Sequence, residues 1–193
     1  MTLTRLTLVA HEQTAASVTA TFAVDDEPLD VPGARRAAAA RGSLRPDQTA
    51  WCAPARRAEQ TAAALGLSAV PAADLRDLDV GTWRGRRLQD LAESDVQRWL
   101  SDPAAAPHGG ESVLDLLARV RGWLDATDRA EGRAVAVTHP AVVRAALVVA
   151  LAAPPEIFWR VDVPPLSSTL LHGQAARWTL RHACLPLGAA VTG

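Results

Sequence analysis

The sequence predicts an α/β fold in three layers, a mostly parallel sheet with helices over both faces. Three observations predict it. Strand-like runs alternate with helical patterns along the chain, the arrangement that builds parallel crossover units. Two of those runs, Leu6 to Ala10 and Arg133 to Thr138, have apolar interiors, as strands buried on both faces of a parallel sheet do. Each is followed by a histidine, His11 and His139, at the carboxyl end, where open α/β sheets place their ligands. A solvated loop histidine is the simplest account of either one alone. Two strand-end histidines facing one crevice need a common explanation.

The chain has 193 residues, 49% of them hydrophobic, which is enough to bury one sizeable core and is expected to form a single domain over 1–193. A formal net charge of −1 gives no global field to attract nucleic acid or an anionic membrane, and neither is an expected partner. No apolar run reaches the roughly 20 residues of a membrane span. The most apolar segment, Ala141 to Ala153, carries Arg144. The amino terminus lacks the pattern of a signal peptide. Cys52 and Cys184 have no metal-type spacing and read as reduced thiols, which fits a cytoplasmic protein. Oligomeric state stays open, a homodimer included.

The remaining elements follow from their boundaries. Ala34 to Arg41 reads as a helix stopped by Gly42, after a loop from Phe22 to Gly33. Thr49 to Ala53 is a short strand. Pro54 then opens a helix over Ala55 to Leu65 closed by Gly66, with proline and glycine at the ends that suit them. Ser68 to Val70 is a second short strand, and Asp74 to Gly85 is an irregular loop around Trp83. A helix is expected over Arg86 to Leu100. The helix opening at Glu111 is the most regular, with Val113, Leu116, Leu117, Val120, Trp123 and Leu124 on one face. Helix Ala141 to Leu151 follows the second apolar strand. Ser168 to His172 and Arg177 to His182 then form a pair of strands, with Gly173 and Gln174 in the connection.

At the level of motifs the chain resembles the histidine phosphatase superfamily, the phosphoglycerate-mutase-like fold. Ala10-His11-Glu12-Gln13-Thr14 stands where that family has Arg-His-Gly followed by Glu or Gln and Thr. Pro28-Leu-Asp-Val-Pro-Gly33 is similar to its Pro-Leu-Thr-x-x-Gly. Ala53-Pro-Ala-Arg-Arg-Ala-Glu-Gln-Thr-Ala62 is close to its Ser-Pro-Leu-x-Arg-Ala-x-Gln-Thr-Ala. Leu75 to Gly85 follows its acidic loop ending Gly-x-Trp-Glu-Gly. Gly109-Gly-Glu-Ser112 reproduces its Gly-Gly-Glu-Ser, and Thr138-His-Pro140 sits at its Ser-His-Gly.

The resemblance implies a phosphoric monoester hydrolase working by covalent catalysis. His11 would attack phosphorus, and water would open the phosphohistidine. Arg57 would bind the phosphoryl oxygens as a fork, and His139 would stabilise the charge spreading over them. Asp77, where the family has Glu, would protonate the leaving oxygen; Asp79 aligns less well. Glu12, Thr14 and Glu111 are the further substrate-binding candidates. No metal and no cofactor is implied, and the substrate would be a small phosphorylated molecule. Plain structural roles compete: Arg57 as a solvated helix arginine, Asp77 as a turn carboxylate, Glu111 as the acidic start of a helix. His108 reads as a loop residue, and His172 and His182 as structural.

Two departures fall beside the nucleophile. The family's first-strand arginine is Ala10, and its glycine is Glu12. Losing one of two guanidiniums from a phosphate site costs about 2–5 kcal/mol, about a hundredfold or more in rate. Glu12 would add a repelling carboxylate if it faces the pocket, and none if it turns away. Three readings therefore stand: a phosphatase of reduced or restricted rate, a binding or regulatory protein on the same fold, or an enzyme using His11 and Glu12 as an acid/base pair.

Overall fold

The structure is a computed structural model and describes residues 3–45, 48–128, 132–175 and 177–188. Its centre is the pair of apolar strands. β1 (Thr4–Ala10) and β4 (Gly132–Thr138) run in parallel, in register from Thr4↔Gly132 to Ala10↔Thr138. Leu6, Leu8, Val9 and Ala10 of β1 and Val135, Ala136 and Val137 of β4 are wholly buried, because both faces of these strands are covered.

β2 (Thr49–Cys52) lies beside β4, and β3 (Val70–Pro71) lies beside β2, both parallel. On the far side of β1 stand β5 (Ser167–Gln174) and β6 (Arg177–Pro186), both antiparallel to their neighbours. The sheet order is β3-β2-β4-β1-β5-β6. Gly173 and Gln174 pair with Trp178 and Arg177, so they belong to β5 and not to the connection expected there.

α2 (Val31–Ala39) packs on α3 (Arg56–Ala64), and α5 (Val113–Asp128) packs on α6 (Pro140–Ala150). The chain steps outward from β1 to β2 to β3 and then returns to β4. With right-handed crossovers this puts the first helix pair on one face and the second on the other. The short strand expected over Ser68 to Val70 is shifted to Val70–Pro71, other ends move by a residue or two, and three boundaries differ for reasons the contacts show. α2 begins at Val31, three residues early, because the Asp30 carboxylate accepts from the Gly33 N–H at 2.6 Å and Pro32 fits the first turn. α5 begins after a reciprocal cap between Ser112 and Asp115, which leaves Glu111 outside the helix.

The third is larger. The helix expected over Arg86 to Leu100 exists only as α4 (Glu93–Ser101). The Phe22 N–H donates to the Arg86 carbonyl and the Leu88 N–H to the Ala20 carbonyl, both at 2.9 Å, and these contacts hold the preceding stretch out of helix. A four-residue helix, α1 (Ala15–Val18), is too short to leave a periodic signal; Thr14 caps it. No helix among the described residues is long and apolar enough to cross a membrane.

Candidate active site

The carboxyl ends of β1 and β4 deliver the two histidines side by side. The His11 N–H extends the ladder by donating to the Thr138 carbonyl at 2.8 Å, and the two imidazole centroids lie 5.1 Å apart at 76°. His139 is the residue before α6, whose first helical position is Pro140. Arg57 enters from the first turn of α3, directly after β2 and Pro54. Asp77 comes from the loop after β3, which is tied to β4 by the Thr138 hydroxyl donating to the Leu75 carbonyl at 2.8 Å.

These four side chains form one connected group. His11 Nδ1 lies 2.7 Å from the Glu12 carbonyl oxygen. A carbonyl only accepts, so Nδ1 carries the proton and Nε2 presents a lone pair. Arg57 Nε donates to that lone pair at 3.3 Å, its Nη1 donates to the Val24 carbonyl at 2.8 Å, and its Nη2 donates to Asp77 Oδ2 at 3.0 Å. His139 Nδ1 lies 3.2 Å from the same Asp77 oxygen without hydrogen-bond alignment, and its Nε2 is buried with no partner among the described residues.

Burial keeps both rings neutral. It lowers His11 to about 4, with the Arg57 charge adding to the effect, and it lowers His139 to about 3. Burial pushes the Asp77 carboxyl up, but His139 and Arg57 outweigh it and hold it below its ordinary value. Because His139 is neutral above about 3, Arg57 is the permanent cation of the group.

Above this base opens a cavity of about 420 Å³. Arg57, Asp77 and His139 line its floor, while Phe22, Trp99 and Trp159 form apolar walls. Arg76, Arg84 and Arg144 stand around it. His11 lies behind Arg57 and does not line it. The Trp99 and Trp159 rings lie 4.2 Å apart, tilted by 58°, and the Arg144 guanidinium sits 5.6 Å from the Trp159 ring with its Nε donating to the Val161 carbonyl at 2.8 Å.

Glu12, Thr14 and Glu111 do not join them. The Glu12 carboxylate turns toward α2, where Arg36 takes both oxygens, Nε to Oε1 at 2.6 Å and Nη2 to Oε2 at 2.8 Å. That ion pair and the backbone bond from Gln13 lower its pKa despite burial. A side chain at Gly33 would place its Cβ 2.8 Å from the Gln13 carbonyl and 3.1 Å from Glu12 Oε2, so the glycine of the Pro28–Gly33 motif makes room for this latch. Thr14 is spent on capping α1.

Glu111 works one step away from the cavity. It accepts from Arg119 Nε at 2.8 Å and Nη2 at 2.7 Å, and from Arg76 Nη2 at 3.0 Å. Arg119 then donates to the carbonyls of Asp74, Arg76 and Asp77. The pair therefore fixes the loop that presents Asp77. Gly110 permits the close approach, since its Cβ would fall 2.0 Å from the Asp79 carbonyl oxygen. Arg36, Arg119 and Trp159 carry no motif in the sequence; only their contacts across the fold single them out.

The family model of the histidine phosphatase superfamily (branch 1) matches residues 6–185. The chain belongs to this superfamily. A bifunctional protein of Mycobacterium tuberculosis is 34% identical over 190 residues, covering 91% of this chain and 52% of that protein. The chain thus spans about half the length of the curated relatives it matches. Among solved structures, a mycobacterial glucosyl-3-phosphoglycerate phosphatase superposes with a TM-score of 0.83 at 26% identity, covering 95% of this chain and 99% of that one. Its complex with VO3 gives a TM-score of 0.83 at 28% identity over 94% and 98% of the two chains. The α-ribazole phosphatase of Shigella flexneri shares the superfamily fold, with a TM-score of 0.81 at 22% identity over 96% and 99%. Among the described residues no group of three or more His, Cys, Asp and Glu side chains could hold a metal ion.

Proposed function

We propose that the protein is a phosphoric monoester hydrolase that passes a phosphoryl group through His11, with 1–193 acting as one domain on a small phosphomonoester. The observation that carries this is the His11 tautomer. Nε2 is unprotonated, faces the Arg57 guanidinium, and is fixed by the bond from Nδ1 to the Glu12 carbonyl. A neutral, oriented imidazole is the form that attacks phosphorus.

Arg57 covers Nε2, and Asp77 occupies the arm of the guanidinium that an anion would use. An entering phosphoryl group replaces the Asp77 carboxylate on Arg57 and draws the fork off the imidazole. Nε2 then forms a bond to phosphorus as the ester P–O bond breaks. The dianion beside Asp77 raises its pKa, so that it can carry the proton the leaving oxygen takes. Water next opens the N–P bond, with Asp77 receiving a proton from it. The unpartnered Nε2 of His139 supplies a donor once that ring is protonated or turned. Support also comes from the mycobacterial phosphatase of the same fold that was solved with VO3, since trigonal vanadate mimics a phosphoryl group in transfer.

One observation favours a second reading. Ala10 is fully buried where a second guanidinium is expected, which leaves Arg57 without a second arginine from the first strand against a dianion. A protein that binds its ligand without turnover is compatible with that. Hydrolysis of p-nitrophenyl phosphate and of sugar and nucleotide phosphates by wild type and His11→Ala separates the two. Turnover lost with His11 supports the hydrolase, and no turnover by wild type supports the binding protein.

A further inference from the structure

The strands that deliver the catalytic histidines at their carboxyl ends carry arginines at their amino ends. Arg5 of β1 stands in register with Arg133 of β4 on one side and His172 of β5 on the other. Register partners point to the same face, so three cationic or ionisable groups form a row at the strand spacing of about 4.8 Å. Arg181 joins the row from β6, at an irregularity in the pairing between β5 and β6. Arg45 and Gln48 approach from the loop between α2 and β2.

Together these residues line a cleft of about 400 Å³, and none of its described lining residues is a carboxylate. Among the described residues none of Arg5, Arg45, Arg133 and Arg181 forms an ion pair. Like charges directly opposite one another in a sheet destabilise it. This row is kept in a protein whose net charge is −1, where the excess of positive charge is local and not general. Burial, followed by Arg181, Arg5 and Arg133, lowers the pKa of His172, as expected where cations crowd one space.

We infer that this cleft binds a small oligophosphate, with Arg133, Arg5 and Arg181 spaced along its phosphoryl groups. A single phosphate would meet one or two of these guanidiniums; a chain of phosphates can meet the whole row, and the fork geometry of arginine suits each. The cleft is separate from the catalytic cavity: Arg5 lies six positions before His11 along β1, about 20 Å at the rise of a strand. It stands on its own residues and does not depend on the hydrolase reading.

Calorimetric titration of the whole protein with tripolyphosphate tests this, using wild type, Arg57→Gln and the double variant Arg5→Gln/Arg181→Gln. Saturable binding is expected in wild type and in Arg57→Gln. The double variant should bind about a hundredfold more weakly, for two charge-assisted hydrogen bonds at about tenfold each. The His172 ring resonances should shift toward the protonated form on binding, because an anion restores its charge. Binding equally strong in the double variant, binding lost in Arg57→Gln but kept in Arg5→Gln/Arg181→Gln, or no binding at all would overturn the assignment. So would tighter binding of duplex RNA or DNA at the same ionic strength, which would give the row to a nucleic acid backbone. Arg133→Gln, measured alone, guards against loss of fold in the double variant and should weaken binding in the same direction.

Discussion

Arg57 Nε lies 3.3 Å from His11 Nε2, so the cation on the floor of the cavity stands directly over the imidazole. In the proposed reaction the same side chain both guards the nucleophile and binds the substrate. Arg57→Lys keeps the charge but loses the fork that spans His11 and Asp77. The expected result is a fall in kcat/KM for p-nitrophenyl phosphate of about a hundredfold or more, the cost of truncating one partner of a buried charge pair. Steady-state kinetics on the purified variant check it; a loss within twofold would contradict the role given to the fork.

Asp77 is assigned to the proton of the leaving oxygen. Asp77→Asn should therefore lower kcat for alkyl phosphates by about 10²–10⁴-fold, the range of general acid catalysis. It should affect p-nitrophenyl phosphate far less, because that phenolate leaves without a proton. Equal losses on both substrates would instead mean that Asp77 only positions Arg57.

Ala10 is wholly buried in β1, in register with Thr138. Ala10→Arg adds the missing guanidinium and also overpacks the strand. A lower melting temperature is expected, for a cost of about 1–3 kcal/mol, together with tighter binding of inorganic phosphate. Calorimetry reads both. Loss of stability with no gain in affinity would show that the strand end no longer faces the phosphoryl position.

The Glu12–Arg36 pair ties β1 to α2. Glu12 has 3% of its side chain exposed and Arg36 47%, so the pair is half-buried. Arg36→Gln leaves the carboxylate buried without its cation. After discounting for the exposed partner, a loss of about 1–2 kcal/mol in urea unfolding is expected. Glu12→Gln/Arg36→Gln should lose less than the sum of the single variants.

How much of this was legible in the sequence divides along sequence distance. β1, β4 and the helix after Pro54 were readable because apolar runs and local caps specify them. The direction of Glu12 was not, since the cation that turns it lies 24 positions away on α2. Arg86 to Leu91 has a composition that suits a helix, and contacts from Phe22 and Ala20 overrule it. At the site, the motif positions named His11, Arg57, Asp77 and His139, while the Trp159 wall and the Glu111–Arg119 brace depend on packing between distant elements.

The two buried imidazoles make a pH prediction. Their ordinary pKa is 6.5, and in the folded protein it is about 4 for His11 and about 3 for His139. Below 6.5 the unfolded chain binds protons that the folded one refuses, so stability falls as pH falls through that window. The melting temperature should drop steadily from pH 6.5 toward 4. In His11→Gln/His139→Gln the drop should be shallower, with a remainder from His108, His172, His182 and Glu12, whose pKa values are also lowered. An identical slope in that variant would contradict neutral burial of the rings.

The most direct test of the account is to trap the phosphorylated protein. Rapid mixing with a phosphomonoester followed by denaturing quench and mass spectrometry should find one acid-labile phosphoryl group on the peptide containing His11, attached at Nε2, and none in His11→Ala. Turnover that proceeds in His11→Ala, or turnover by wild type without any phosphoryl group on His11, would contradict it.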